Sequence, residues 1–77
     1  MTFYAKITLL KADGDAKISL VLVRVSNIDT FTDEMAAELL NQLSRTEATR
    51  FNAVSVTAEW ISPMEAEQII KNLRNKQ

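Results

Sequence analysis

Seventy-seven residues with no cysteine and no histidine make one small domain, 1–77, that cannot be stapled by disulfides and lacks the usual nitrogen and sulfur ligands of zinc. An apolar fraction of 47% with 25% charged residues is that of an ordinary globular domain. The net charge of −1 has its signs interspersed, four basic and three acidic groups over residues 1–29 and three of each over 51–77. No basic stripe exists to neutralise phosphates, which argues against generic nucleic-acid binding. A chain this short hides only roughly 60% of its unfolded surface, and small domains without disulfides or metals commonly gain cover by self-association.

The first residues, Met1-Thr2-Phe3-Tyr4-Ala5-Lys6, do not have the charged-then-apolar layout of a secretory signal. No apolar run approaches the length of a membrane span, so a cytoplasmic protein is the expectation. From Thr2 to Lys11 the chain alternates: Phe3, Ala5, Ile7 and Leu9 share one face, and Tyr4, Lys6, Thr8 and Leu10 the other. This is a first strand. Asp13-Gly14 follows between two strand-like runs, a hairpin signal, since glycine adopts positive φ without steric cost.

Ile18 to Val25 (Ile-Ser-Leu-Val-Leu-Val-Arg-Val) is the most apolar run and the richest in β-branched residues. From Leu20 to Val23 both strand faces are apolar, as in a strand covered on two sides, and it reads as the central strand. A two-residue loop at Asp13-Gly14 pairs Leu9 with Ile18, Ile7 with Leu20, Ala5 with Leu22 and Phe3 with Arg24. That register leaves Tyr4, Val21, Val23 and Val25 on the opposite face beside Lys6, Thr8, Lys17 and Ser19. A three-residue loop, Ala12-Asp13-Gly14, exchanges the two sets on the second strand. In either register one face keeps an apolar group that the hairpin alone cannot bury.

Asn27 to Thr30 is a polar connection. Thr30 or Thr32 can cap the helix that follows, whose first turn carries Asp33 and Glu34, the right sign for a helix N-terminus. Met35, Ala36, Leu39, Leu40 and Leu43 recur at helical spacing over about three turns. Ser44 to Arg50 holds no large apolar residue and reads as a frayed continuation or a loop. Asn52 to Ile61 alternates again, with Val54, Val56, Ala58 and Trp60 inward and Ser55, Thr57 and Glu59 toward water. Ser62-Pro63-Met64-Glu65 then opens a second helix: serine as cap, proline at the first helical position, glutamate completing a capping box. Ala66, Ile69, Ile70 and Leu73 form its apolar stripe, Glu67 and Lys71 an i,i+4 pair, and Arg74 and Lys76 suit its C-terminal end.

The expected fold is α+β, in the order β-β-α-β-α, a three-stranded sheet with two helices packed on one face. Side chains for acid–base or nucleophilic chemistry are scarce. Without histidine or cysteine, the serines have no activating base, and Ser62 already serves as a cap. Asp13 and Asp15 flank Gly14 as turn residues, without the further oxygen ligands of a calcium loop. A single glycine rules out a glycine-rich phosphate loop. The reading is non-enzymatic, with no cofactor, metal or small-molecule substrate.

Tyr4 with Lys6 and Lys17 makes a thin version of a base-stacking surface, and weak single-stranded nucleic-acid binding is the alternative function. Phe3 and Trp60 read as core, Phe31 and Phe51 as plugs beside element ends. Arg24, inside the apolar run, either reaches solvent with its stem on Phe3 or meets a carboxylate of a partner chain. The leading expectation is a protein–protein interaction module, a homodimer or a module docking on another protein through a sheet face or an edge strand. Tyr4, Val21, Val23, Val25 and Arg24 are its candidate contacts. Size and composition suit a small accessory or regulatory protein of bacteria or their phages.

Overall fold

The computed structural model describes residues 1–75. It places strand β1 at Thr2–Lys11, β2 at Ala16–Arg24, helix α1 at Asp33–Phe51, β3 at Ala53–Ile61 and α2 at Pro63–Asn75, with a single 3-10 turn at Ile28–Thr30 between β2 and α1. This is the expected β-β-α-β-α order of an α+β fold. The sheet order is β2-β1-β3, antiparallel throughout. The central strand is therefore β1, and the apolar run taken as central forms an edge. α1 packs over β3 and β1, so the inward side chains of this edge strand, Val21 and Val23, are only half-buried, and its other side holds the exposed Ile18 and Leu22.

The hairpin turns on three residues. The Lys11 N–H donates to the Asp15 carbonyl at 2.8 Å and the Gly14 N–H to Lys11 at 3.0 Å, with Gly14 at φ 92°. The Asp13 carboxylate accepts from the Asp15 N–H at 2.9 Å. A positive-φ glycine closing a three-residue loop is a common hairpin solution. The register that follows pairs Phe3 with Val23, Ala5 with Val21, Ile7 with Ser19 and Leu9 with Lys17, the second of the two sequence alternatives. Across β3, Ala5 meets Trp60, Ile7 meets Ala58 and Leu9 meets Val56.

These side chains share the face that α1 covers. Ala5, Ile7 and Leu9 are fully buried there. Phe31, just before α1, stacks on Phe3 with ring centroids 6.1 Å apart, and Trp60 meets both rings edge-on, a geometry favourable to aromatic clusters. At the other end of α1, the Lys17 ammonium lies 3.8 Å from the Phe51 ring centroid.

α1 runs 19 residues, through the stretch that reads ambiguously in sequence. Thr32 caps it, its hydroxyl accepting from the Met35 N–H at 3.2 Å. Ser44 and Thr46 return their hydroxyls to the carbonyls of Asn41 and Gln42, so these polar side chains are accommodated inside the helix. Half-buried Ala48 and Phe51 continue the stripe begun by Leu40 and Leu43. Asn52 closes the helix in the left-handed conformation, φ 54° and ψ 47°, which asparagine tolerates well.

β3 holds one irregularity: Leu10 pairs with Ser55 but Lys11 with Ala53. Val54 is the extra residue of a bulge, which is why it stands 67% exposed and not inward. At the far end, Ser62 caps α2, its hydroxyl accepting from the Glu65 N–H at 3.2 Å. Buried Ile61 and Ala66 flank this junction, and α2 meets the sheet at β1. Lys76, expected at the C-terminal end of α2, lies outside the described residues.

The buried apolar core comprises Ala5, Ile7, Leu9, Ile61 and Ala66. The molecule measures 41 × 27 × 14 Å, with a radius of gyration of 13.4 Å, against about 11.5 Å for a compact chain of this length. The fold is complete in its backbone and thin in its cover.

Candidate functional site

The second sheet face is built by the side chains that alternate with the core. In β1 these are Tyr4, Lys6, Thr8 and Leu10, facing Leu22, Leu20, Ile18 and Ala16 of β2 on one side and Ile61, Glu59, Thr57 and Ser55 of β3 on the other. The face is divided lengthwise. Beyond buried Ile61 at one end, its β3 side is polar, with Lys6 and Glu59 3.7 Å apart as a partly exposed ion pair and the two threonines, Thr8 and Thr57, directly opposite. Its β2 side is a ribbon of aliphatic groups, where Leu10, Ile18 and Leu22 are 44%, 37% and 48% exposed and Leu20 is half-buried between them.

The candidate contacts read from the sequence divide between the two faces. Tyr4 lies on the second face, half-buried, and Arg24 lies on the same face, exposed, opposite Thr2. Val21 and Val23 face α1 instead, opposite Ala5 and Phe3. Val25 continues that side, lining a shallow cleft with Val23, Met35 and Leu39. The three valines are half-buried and belong to the inner layer. The cause is the one-residue difference in loop length, which moves every β2 side chain to the other face. Arg24 accordingly does not lay its stem on Phe3. The residues that take the valines' place on the outer face are Ile18, Leu20 and Leu22, and the hairpin arithmetic for the longer loop was the sequence signal for them.

The same shift separates the basic and aromatic groups of the nucleic-acid alternative. Lys17 points to the α1 side, against Phe51, while Tyr4 and Lys6 are on the other face and Lys6 is engaged with Glu59. Among the described residues Tyr4 is left as the one aromatic ring of this face, beside Lys6 paired with Glu59 and across one residue from the exposed Arg24 at the strand end.

Concavities elsewhere are small and open. One, about 230 Å³, is lined by Phe3, Phe31 and Trp60 with Thr32, Asp33 and Ala36. Its three rings are packed on one another, Phe31 stacked on Phe3 and Trp60 edge-on to both. Among the described residues, two buried polar atoms have no hydrogen-bond partner, Trp60 Nε1 and Glu47 Oε2, and they lie on different elements. Among the described residues no three acidic side chains gather where a cation could sit, and no helix is long and apolar enough to cross a membrane.

Exposed apolar side chains also occur on α2, at Met64, Ile70 and Leu73, but those of β2 form one continuous strip along a sheet edge. No family model, no curated protein and no solved structure matches this chain. The reading of the ribbon rests on its own geometry. The accessible surface totals 5818 Å², about 1,100 Å² more than the roughly 4,700 Å² typical of a folded monomer of 8.7 kDa. That excess exceeds the ~800 Å² that each partner buries in a standard protein–protein interface.

Proposed function

We propose that this protein is a non-catalytic interaction module that associates with a second copy of itself through the β2 side of its outer sheet face. One observation carries the reading: Leu10, Ile18 and Leu22 stand together and exposed on a domain with far more bare surface than its mass calls for. Isolated exposed leucines are ordinary, but a contiguous aliphatic strip on a small domain marks an association surface. Regulation or scaffolding through a protein partner is the class of activity that such a surface serves, and the cytoplasm suits a cysteine-free chain of balanced charge.

Sedimentation equilibrium across a wide concentration range tests it. A concentration-dependent dimer is expected, and Leu22→Lys should shift it to monomer, weakening association by on the order of tenfold or more, because a charge then lies in the apolar strip. Wild-type protein that remains strictly monomeric at millimolar concentration removes the reading.

A further inference from the structure

We propose that the free edge of β2 pairs antiparallel with β2 of a second copy, in a register centred on Leu20, joining two three-stranded sheets into one of six strands. The proposal rests on the self-association reading and names the atoms that would carry it.

The backbone supplies the first argument. Met1 and Val25 exchange both bonds of a ladder pair, at 2.9 and 2.8 Å, and the Lys11 N–H donates to Asp15. Between these two points the β1–β2 register runs without a shift. In an antiparallel ladder hydrogen-bonded and non-bonded pairs alternate. The odd-numbered residues of β2 therefore bond to β1, and Ala16, Ile18, Leu20, Leu22 and Arg24 turn their N–H and C=O groups outward. No strand lies beyond β2 among the described residues.

The side chains supply the second. Those same even-numbered residues carry the exposed aliphatic strip, so one pairing event would satisfy the edge and extend the apolar surface together. Centred on Leu20, the two-fold axis sets Leu20 against the partner's Leu20 and Ile18 against the partner's Leu22, with Ala16 against the partner's Arg24. On the other face Lys17 meets the partner's Val23 and Ser19 meets the partner's Val21. All nine residues of β2 are used, six large aliphatic groups form one continuous stripe, and no two charges of like sign oppose each other. Such self-complementarity is what a two-fold interface requires.

The rival edge, β3, lacks these properties. Its outward even-numbered positions carry Val56, Ala58 and Trp60, already half-buried on the α1 side, while its exposed positions are Ser55, Thr57 and Glu59. A bulge at Val54 and an edge glutamate protect it in the manner usual for edge strands. β2 carries neither proline nor bulge, and no charge interrupts it between Ile18 and Val23.

Residue-resolved amide exchange on the unmodified protein, run beside sedimentation at the same concentrations, decides the matter. As the dimer forms, exchange at Ile18, Leu20 and Leu22 should slow by on the order of tenfold or more, while Ser19, Val21 and Val23, already bonded to β1, serve as internal references. A dimer in which Ile18, Leu20 and Leu22 exchange as fast as in dilute protein overturns the edge pairing and leaves face-to-face self-association standing. A strict monomer at every concentration overturns both.

Discussion

Ala5 stands directly opposite Val21 in the β1–β2 ladder, and Ala5 is wholly excluded from solvent. This pair fixes which side of β2 faces α1, and with it the nature of every exposed residue on the strand. Neighbouring substitutions should therefore have opposite effects. Val21→Lys drives an ammonium into the layer beneath α1 and should cost about 2–3 kcal/mol, lowering the midpoint of thermal unfolding by ~10 °C or more for a domain of this size. Leu22→Lys, one residue on, should change the stability of the isolated monomer by less than about 1 kcal/mol. Chemical denaturation at low protein concentration measures both, and equal losses would contradict the observed register.

The centre of β1 carries most of the core. Ile7 and Leu9 are its two large side chains with no exposure at all. Ile7→Ala should remove about 2–5 kcal/mol, enough to leave a domain of marginal stability substantially unfolded at room temperature. Ile7→Val should cost about 1 kcal/mol and keep the fold. Near-native stability in the alanine variant would mean that the core lies elsewhere.

How far the sequence disclosed this arrangement differs from element to element. The order of elements, the Thr2–Lys11 strand and the Ser62-Pro63 helix start were readable because each depends on local signals: alternation, a cap, a proline at the first turn. The extension of α1 to Phe51 was hidden by a lack of large apolar groups from Ser44 to Arg50. Its marks were weaker, the Leu43–Glu47–Phe51 spacing and an asparagine poised for left-handed geometry. The position of β2 at the edge was beyond local reading, since strand order depends on which partner β3 chooses. The candidate surface turned on a single residue of loop length, so that Tyr4 keeps its expected face, Arg24 moves from the Phe3 side to the outer face, and the valines are exchanged for Ile18, Leu20 and Leu22.

That loop offers its own test. Gly14 sits at φ 92° with nothing within 4 Å of where a Cβ would lie, so crowding does not oppose a side chain there. Gly14→Ala should still cost about 1 kcal/mol, from the positive φ alone, while Gly14→Asn should recover part of it, since asparagine tolerates left-handed geometry. Cross-strand nuclear Overhauser contacts between Ala5 and Val21 should persist in both. Their replacement by Ala5–Leu22 contacts would show that the glycine is what holds the register.

Each helix begins on one hydroxyl. Thr32 accepts from the Met35 N–H and Ser62 from the Glu65 N–H, both at 3.2 Å. Thr32→Ala and Ser62→Ala should each cost about 1 kcal/mol of unfolding free energy, with Asp at either position close to wild type. The two should differ in exchange. Loss of the Ser62 cap should speed the amides of the first turn of α2, a helix whose Met64, Ile70 and Leu73 are exposed, well before the core amides of β1 respond. Uniform acceleration throughout the chain would make α2 part of one cooperative unit with the sheet.

The aliphatic strip also ties stability to concentration. If folding and association are linked, a dimer stabilises the native state by mass action, and the apparent thermal midpoint must rise with protein concentration. Ile18, Leu20 and Leu22 are where that link should be broken. Leu20→Lys places two ammonium groups against each other across the proposed two-fold axis, and like charges directly opposite in a ladder are destabilising. The variant's midpoint should be independent of concentration and should meet the wild-type value only at the dilute end of the series. Lys6→Met, on the polar side of the same face, removes an exposed ion pair worth at most ~1 kcal/mol and should leave the concentration dependence intact. Scanning calorimetry over a hundredfold range of concentration separates these outcomes, and a wild-type midpoint that stays fixed across it would show that the strip plays no part in holding two copies together.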